Sequence, residues 1–243
     1  MHTSAHLGVL DAPGSGAARR GGGCNRVALP HCALVVVDMQ RDFIDGSLVR
    51  NISRLITRSD WGIVVATQDA HPQDHVSFAA THKVAPFHAI RIAHPIQMPD
   101  ACHAPVTIEQ MMWPVHCVRG TPGAEIDDVV QRALREKEAG GTPVFYVGKG
   151  QDPRIDSYSA FAATDYTAFT KLAEILFRSQ THGEHITTVV VCGLATDYCV
   201  RSTAVDAAKF GFRTLLSGDY ARLWLLRFPL ARRAPRGHGC REG

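Results

Sequence analysis

The sequence predicts an α/β domain in which a parallel sheet carries helices on both faces. Short β-branched runs of strand length alternate with stretches whose apolar residues recur at helical spacing, the pattern of βα units. The runs are mostly apolar with no alternating polar phase, as strands covered on both faces are. Reactive residues also fall just past the ends of several runs, where parallel sheets bind ligands.

Taken in order, residues 1–30 are rich in Gly and Ala without a hydrophobic period, and read as a mobile leader ahead of a domain over residues 31–220. The first strand is Ala33-Leu34-Val35-Val36-Val37, and the second covers 63–66. Residues 79–112, with several His and Pro and weak periodicity, read as a long loop over the site. A helix follows at 126–139, with Ile126, Val129, Val130, Ala133 and Leu134 on one face. Gly140-Gly141 and then Pro143 stop it ahead of a third strand at 144–147. Helical spacing returns at 168–177, a fourth strand covers 187–192, and a last helix runs over 198–210. Residues 221–243 form an Arg-, Pro- and Gly-rich tail with an isolated Leu-Trp-Leu-Leu patch. There is no internal repeat.

At 243 residues, 45% hydrophobic and 20% charged, the chain suits one soluble core. No apolar run approaches the roughly 18 residues that cross a bilayer, so no membrane partner is expected. The N-terminus lacks the charged-then-apolar order of a secretory signal. Seven cysteines, an odd number without paired spacing, suggest a reduced, intracellular protein. The net charge of +3 belongs to the ends. Residues 222–243 hold six Arg and one Glu, and residues 1–30 three Arg and one Asp, so the body between them is acidic. No nucleic-acid partner is expected from it.

Three constellations carry chemistry. In the first, Asp38, Lys149 and Cys199 supply a carboxylate to take a thiol proton, an ammonium to stabilise the anion, and the thiol itself. Cys199 lies at the start of a predicted helix, where backbone N–H groups favour an anion. Singly, Cys199 could be a small core side chain, Asp38 a helix cap and Lys149 a solvated charge. The second is Asp69-Ala70-His71, followed by Asp74-His75 and, much later, His116. Alternate positions past a strand end can turn a carboxylate and an imidazole toward one cation, with open positions for water or substrate. The bland alternative is a capped loop. His82, His88, His94 and His103 read as exposed loop residues. In the third, Phe43, Trp113 and Tyr158 each sit near a reactive position and could wall a slot for a flat ring, or simply anchor loops.

Five segments carry a resemblance: 33–43 (ALVVVDMQRDF), 65–78 (VATQDAHPQDHVSF), 113–124 (WPVHCVRGTPGA), 146–161 (YVGKGQDPRIDSYSAF) and 190–207 (VVCGLATDYCVRSTAVDA). In this order, over residues 33–217, they resemble the nicotinamidase/pyrazinamidase branch of the isochorismatase-like cysteine hydrolases. The resemblance implies a three-layer αβα fold and hydrolysis of nicotinamide to nicotinic acid and ammonia through a Cys thioester, in NAD salvage. Cys199 would attack the amide, Asp38 would take and return protons, and Lys149 between them would lower the thiol pKa. The backbone amides of Ala195 and Cys199 would form the oxyanion hole, beside a cis peptide between Leu194 and Ala195. Asp69, His71 and His116 would hold one divalent ion, with His75 as a fourth ligand in some members. Zinc is the first expectation for that ion, iron or manganese the alternatives. Phe43, Trp113 and Tyr158 would sandwich the ring. Residues 113–117 discriminate, because isochorismate and carbamoyl hydrolases generally lack the metal and its His. Cytoplasm is the default compartment, with nucleus and peroxisome as alternatives, and a homo-oligomer is compatible.

The sequence departs from the family twice. After Gly46-Ser47-Leu48 it runs into 52–56 several residues early. After Ser217-Gly218-Asp219 the family continues into a last helix and strand, whereas this tail resembles an altered C-terminus that would leave part of the sheet uncovered. Two other readings remain: a related small-amide hydrolase, or an inactive truncated form acting as a binding protein.

Overall fold

The computed structural model describes residues 8–9, 27–44, 46, 48–96, 106–181 and 183–221. In chain order they form β1 (Gly8–Val9), β2 (Val27–Val37), α1 (Val49–Arg58), β3 (Ser59–Asp69), α2 (Ala79–His82), β4 (Ala89–Ala93) and β5 (Thr107–Met111). Next come α3 (Asp128–Ala139), β6 (Val144–Lys149), α4 (Leu172–Arg178), β7 (Gln180–Thr181) and β8 (Glu184–His185). The last are β9 (Thr188–Gly193), α5 (Arg201–Lys209) and β10 (Arg213–Ala221). Six strands make one sheet in the order β1-β10-β9-β2-β3-β6, every pairing parallel.

Alternation along the central strands builds the three layers. Val35 and Val37 of β2, Ile63 and Val65 of β3 and Val189 and Val191 of β9 face a core that contains Leu172 and Leu176 of α4 and Ala204 and Ala207 of α5. Leu34, Val36, Val64, Val190 and Cys192 point the other way, against Ile52 and Ile56 of α1 and Val130 and Leu134 of α3. Each strand is thus buried on both faces, which is why its sequence is apolar without a polar phase. Asp127 caps α3, its carboxylate accepting from the Val129 and Val130 N–H groups at 2.8 and 3.4 Å. No helix among the described residues is long and apolar enough to cross a membrane.

The four expected strands overlap β2, β3, β6 and β9, but several boundaries differ. β2 begins at Val27, inside the expected leader, and its register shifts between Leu29 and Ala33. Pro30 lies within that shift, where its missing N–H costs the ladder nothing. Gly8–Val9, also in the expected leader, pairs with β10, an edge strand the sequence reading did not anticipate. The remainder of 1–26 and the tail 222–243, with the expectation of an uncovered face, lie outside the described residues.

The expected loop at 79–112 is corrected: it holds α2 and an antiparallel hairpin of β4 with β5. The signal was a period of two. Ile90, Ile92 and His94 share a face, and Ile92 packs with Ile108 and Ile155. The same alternation turns His94 inward, where it is 7% exposed and its Nε2 lies 3.7 Å from Asp165, against the expectation of a solvent histidine. His82 is half-buried, His88 is exposed and His103 lies outside the described residues. The helix expected at 168–177 starts at Leu172, whose N–H is taken by the Thr170 hydroxyl at 3.1 Å. The helix expected from Tyr198 begins instead as a wide π turn over Thr196–Val200 before α5.

Candidate active site

The carboxyl ends of β2, β3, β6 and β9 converge on one cavity of about 360 Å³. Asp38 follows β2 with a left-handed φ of 49°, a conformation that Asp tolerates better than most side chains. Thr67 of β3 holds it: the Thr67 hydroxyl donates to Asp38 Oδ1 at 2.7 Å, and the Asp38 N–H donates to the Thr67 carbonyl at 3.2 Å. Lys149 ends β6 in register with Asp69, which ends β3. Register partners on parallel strands point their side chains the same way, so the Lys149 ammonium meets Asp69 Oδ1 at 2.5 Å. It also reaches Asp38 Oδ2 at 2.9 Å, the Ser157 carbonyl at 3.0 Å and Cys199 Sγ at 3.3 Å, with Lys149 itself only 2% exposed.

Cys199 arrives from β9, which flanks β2 on the side away from β3. β9 ends at Gly193, whose φ is 122° and where a Cβ would overlap the Val37 carbonyl. Only glycine fits that close approach. The next peptide, Leu194–Ala195, is cis, and the wide turn then delivers Cys199 and Ala195 to the cavity wall. The expected trio of Asp38, Lys149 and Cys199 therefore meets in space.

Electrostatics separates their states. Burial pulls the Lys149 ammonium down, but Asp38 and Asp69 hold its pKa well above the usual value. Burial pushes the Asp38 carboxyl up, with Lys149 opposing. Burial also pushes the Cys199 thiol well up; Lys149 lowers it, but Asp38 and Asp69 add to the rise. The expected pull of Lys149 on the thiol is thus present, opposed by burial and by the two carboxylates. Two carboxylates beside one ammonium favour a protonated resting thiol, with a base of raised pKa adjacent.

Asp69 turns its second oxygen toward two imidazoles. Oδ2 lies 3.7 Å from His71 Nε2 and 4.0 Å from His116 Nε2. Each ring places Nδ1 against a backbone carbonyl, His71 on Gly150 at 2.8 Å and His116 on Pro114 at 2.7 Å. A carbonyl only accepts, so Nδ1 carries a proton, and in the neutral ring Nε2 keeps its lone pair. Burial lowers the His71 pKa to about 4, so its ring is neutral at pH 7. Three electron-pair donors thus lie within 4.8 Å of one another, an arrangement that fits a divalent cation and leaves positions open toward the cavity. Gly150 has φ 62°, and a Cβ there would strike the His71 ring.

His75 stacks on His71 with centroids 4.0 Å apart, its Nδ1 on the Ser77 hydroxyl at 2.7 Å and its Nε2 on the Ile155 carbonyl at 3.3 Å. It forms a second group of potential ligands with His71 and Asp156.

Phe43, Trp113 and Tyr158 all line the cavity, and the Trp113 indole donates to the Tyr158 hydroxyl at 3.1 Å. The structure adds residues that sequence reasoning missed. Tyr198 sits edge-on to Trp113 at 4.8 Å, and Phe87, 68% exposed, also stands edge-on to it at 6.2 Å. Asp156 and Asp42 also line the cavity. Gln40 clamps the Asp69 backbone, its amide donating to the Asp69 carbonyl and its oxygen accepting from the Asp69 N–H, both at 2.8 Å. Tyr198 adjoins Cys199, and Gln40 and Asp42 lie within the 33–43 segment, so their positions were a signal; nothing local marked Phe87.

Comparison with known proteins agrees with this geometry. The isochorismatase domain pattern matches residues 32–220. A nicotinamidase of Acinetobacter baylyi is 37% identical over 199 residues, covering 78% of this chain and 80% of that protein. Among solved structures, yeast nicotinamidase bound to the inhibitor nicotinaldehyde superposes with a TM-score of 0.68 at 31% identity, over 79% of this chain and 88% of that one. Pyrazinamidase of Pyrococcus horikoshii in complex with zinc gives 0.52 at 30% identity, over 79% and 87%. With the parallel sheet, the thiol–lysine–carboxylate cluster and the two-histidine carboxylate group on one cavity, the chain belongs to the isochorismatase family, in its nicotinamidase/pyrazinamidase branch.

Proposed function

We propose that this protein is a nicotinamidase, hydrolysing nicotinamide to nicotinic acid and ammonia. One observation carries the reading: Cys199 Sγ lies 3.3 Å from an ammonium shared with two buried carboxylates, on the wall of an aromatic-lined cavity. A buried thiol is a weak nucleophile until its proton is removed. Asp38, with its raised pKa, takes that proton as Sγ attacks the amide carbon. Lys149 stays charged and stabilises the thiolate as it forms. The backbone N–H groups of Ala195 and Cys199 receive the charge that develops on the amide oxygen.

Asp38 then gives its proton to the leaving nitrogen, and ammonia departs from a thioester. A water molecule attacks the thioester carbon while Asp38 takes one of its protons. That proton returns to Sγ as nicotinic acid is released, which restores the starting state. Phe43, Trp113 and Tyr158 hold the flat ring, and Tyr198 and Phe87 extend the wall.

Asp69, His71 and His116 would hold one divalent ion, zinc by the two-imidazole, one-carboxylate donor set and by the zinc in the Pyrococcus relative. When bound, it supplies a Lewis-acid anchor for the pyridine nitrogen. We assign the reaction to NAD salvage in the cytoplasm on the family resemblance.

The test is ammonia release from nicotinamide by the purified full chain, before and after chelation, with benzamide as a ring lacking the nitrogen. Release should fall on chelation, recover with zinc and be poor with benzamide. No release under any metal condition overturns the activity; chelator-insensitive release overturns the metal's role.

A further inference from the structure

We infer that Asp42 is a positioning residue for the metal ligand His116, acting through the peptide bond that follows it; this rests on the reading of Asp69, His71 and His116 as a metal site. His116 is unlike the other two donors. Asp69 ends β3 and His71 lies two residues beyond, whereas His116 comes from an irregular loop. Something other than a strand must set its direction.

The peptide N–H between His116 and Cys117 donates to Asp42 Oδ2 at 2.7 Å. That bond fixes the plane of the peptide, and with it the backbone angles on either side: ψ of His116 and φ of Cys117. The φ of Cys117 is 45°, uncommon for a residue with a Cβ. The carbonyl of Cys117 accepts from the His71 N–H at 3.1 Å, so this one residue connects Asp42 to both histidine segments. His116 is then held at two points, its ring by the Pro114 carbonyl and its following peptide by Asp42.

Asp42 is an exposed side chain, but its described neighbours leave the carboxylate to this bond. Arg41 next to it points away, pairing with Glu125 at 2.8 Å and Asp128 at 2.9 Å. Gly123 lies directly against the carboxylate, and a Cβ there would overlap both of its oxygens. A glycine at 123 is therefore part of the device: it leaves the room in which Asp42 reaches Cys117. Asp42 also lines the cavity beside Phe43, whose ring centroid is 5.2 Å from that of His116.

Hydrogen-bond partners behind a metal ligand are typically worth about 10- to 100-fold in metal affinity. The measurement is Co(II) affinity of the full chain by competition with a chromophoric chelator, with the visible spectrum of bound Co(II) as a report on ligand geometry. Asp42→Ala should weaken Co(II) binding by about 10-fold or more and change the spectrum. Asp42→Asn, whose amide oxygen can still accept from Cys117, should recover most of the affinity. Gly123→Ala, which crowds the carboxylate without touching the metal, should reproduce the alanine variant; it also serves if Asp42→Ala does not fold. Wild-type affinity and spectrum in both Asp42→Ala and Gly123→Ala would overturn the inference. So would an asparagine variant as weak as the alanine one. A wild-type chain that takes up no Co(II) would instead overturn the metal reading beneath it.

Discussion

The two halves of the site are built by different means. Asp38 and Lys149 sit where β2 and β6 end and Cys199 in the turn that follows β9, so the register of β2, β3, β6 and β9 sets the spacing of the strand ends from which they project. The metal-ligand half is mixed: Asp69 belongs to a strand, His71 lies just past its end, and His116 comes from a loop bridged to its neighbours at Trp113 and Val118 and tethered around His116 itself by two hydrogen bonds. Asp69 joins the halves, one oxygen on Lys149 and the other facing the imidazoles. Groups fixed by sheet register move only if the sheet does. Groups fixed by tethers can be loosened one at a time while the fold survives. The thiol half should thus couple tightly to stability, and the His116 side mainly to metal affinity.

The largest expected effect probes the chemistry of the first half. Cys199→Ala removes the nucleophile and should lower kcat by about 10⁴-fold or more while the fold persists. Steady-state ammonia release together with a thermal melt checks both parts, and residual turnover within tenfold of wild type would remove Cys199 from the mechanism.

Lys149→Met comes next. It leaves Asp38 and Asp69 buried without their ammonium, and breaking a buried pair in this way costs about 3–5 kcal/mol. Chemical denaturation should show a loss of that order together with loss of activity. An unchanged midpoint would mean that the thiol half is not coupled to the core as its geometry implies.

The smallest effect on stability belongs to the loop. His116→Ala in the metal-free protein should cost about 1 kcal/mol, well below the Lys149 variant, because its ring packs against Phe43 and Phe78 but its loss leaves no buried charge unpaired. The same variant should lose metal occupancy by elemental analysis. A destabilisation as large as that of Lys149→Met would erase the distinction between the halves.

How much of this was legible beforehand follows from the same distinction. The apolar runs at 33–37, 63–66, 144–147 and 187–192 read as buried strands, although Tyr146 of the third is exposed at the sheet edge, and Asp38, Asp69 and Lys149 were visible because they interrupt or end such runs. The hairpin β4–β5 was equally encoded, in the alternation of Ile90, Ile92 and His94, but its few residues lay among His and Pro that masked the period. The helix that should have begun at Tyr198 did not, because the cavity wall requires the wide turn that presents Cys199.

The sequence alone determined the layers, the carboxyl-end location of the site and the residue types assembled there, since hydrophobic period and strand ends are local properties of the chain. Tertiary structure decided the rest. Thr67 oriented Asp38 across 29 residues, Gln40 clamped Asp69 across 29, and Asp42 reached Cys117 across 75. A hydrogen bond between residues that far apart leaves no period or spacing in the sequence, because its geometry exists only once the sheet has set which strands are neighbours. The raised thiol of Cys199 has the same origin, in burial and in the nearness of two carboxylates brought together by different strands.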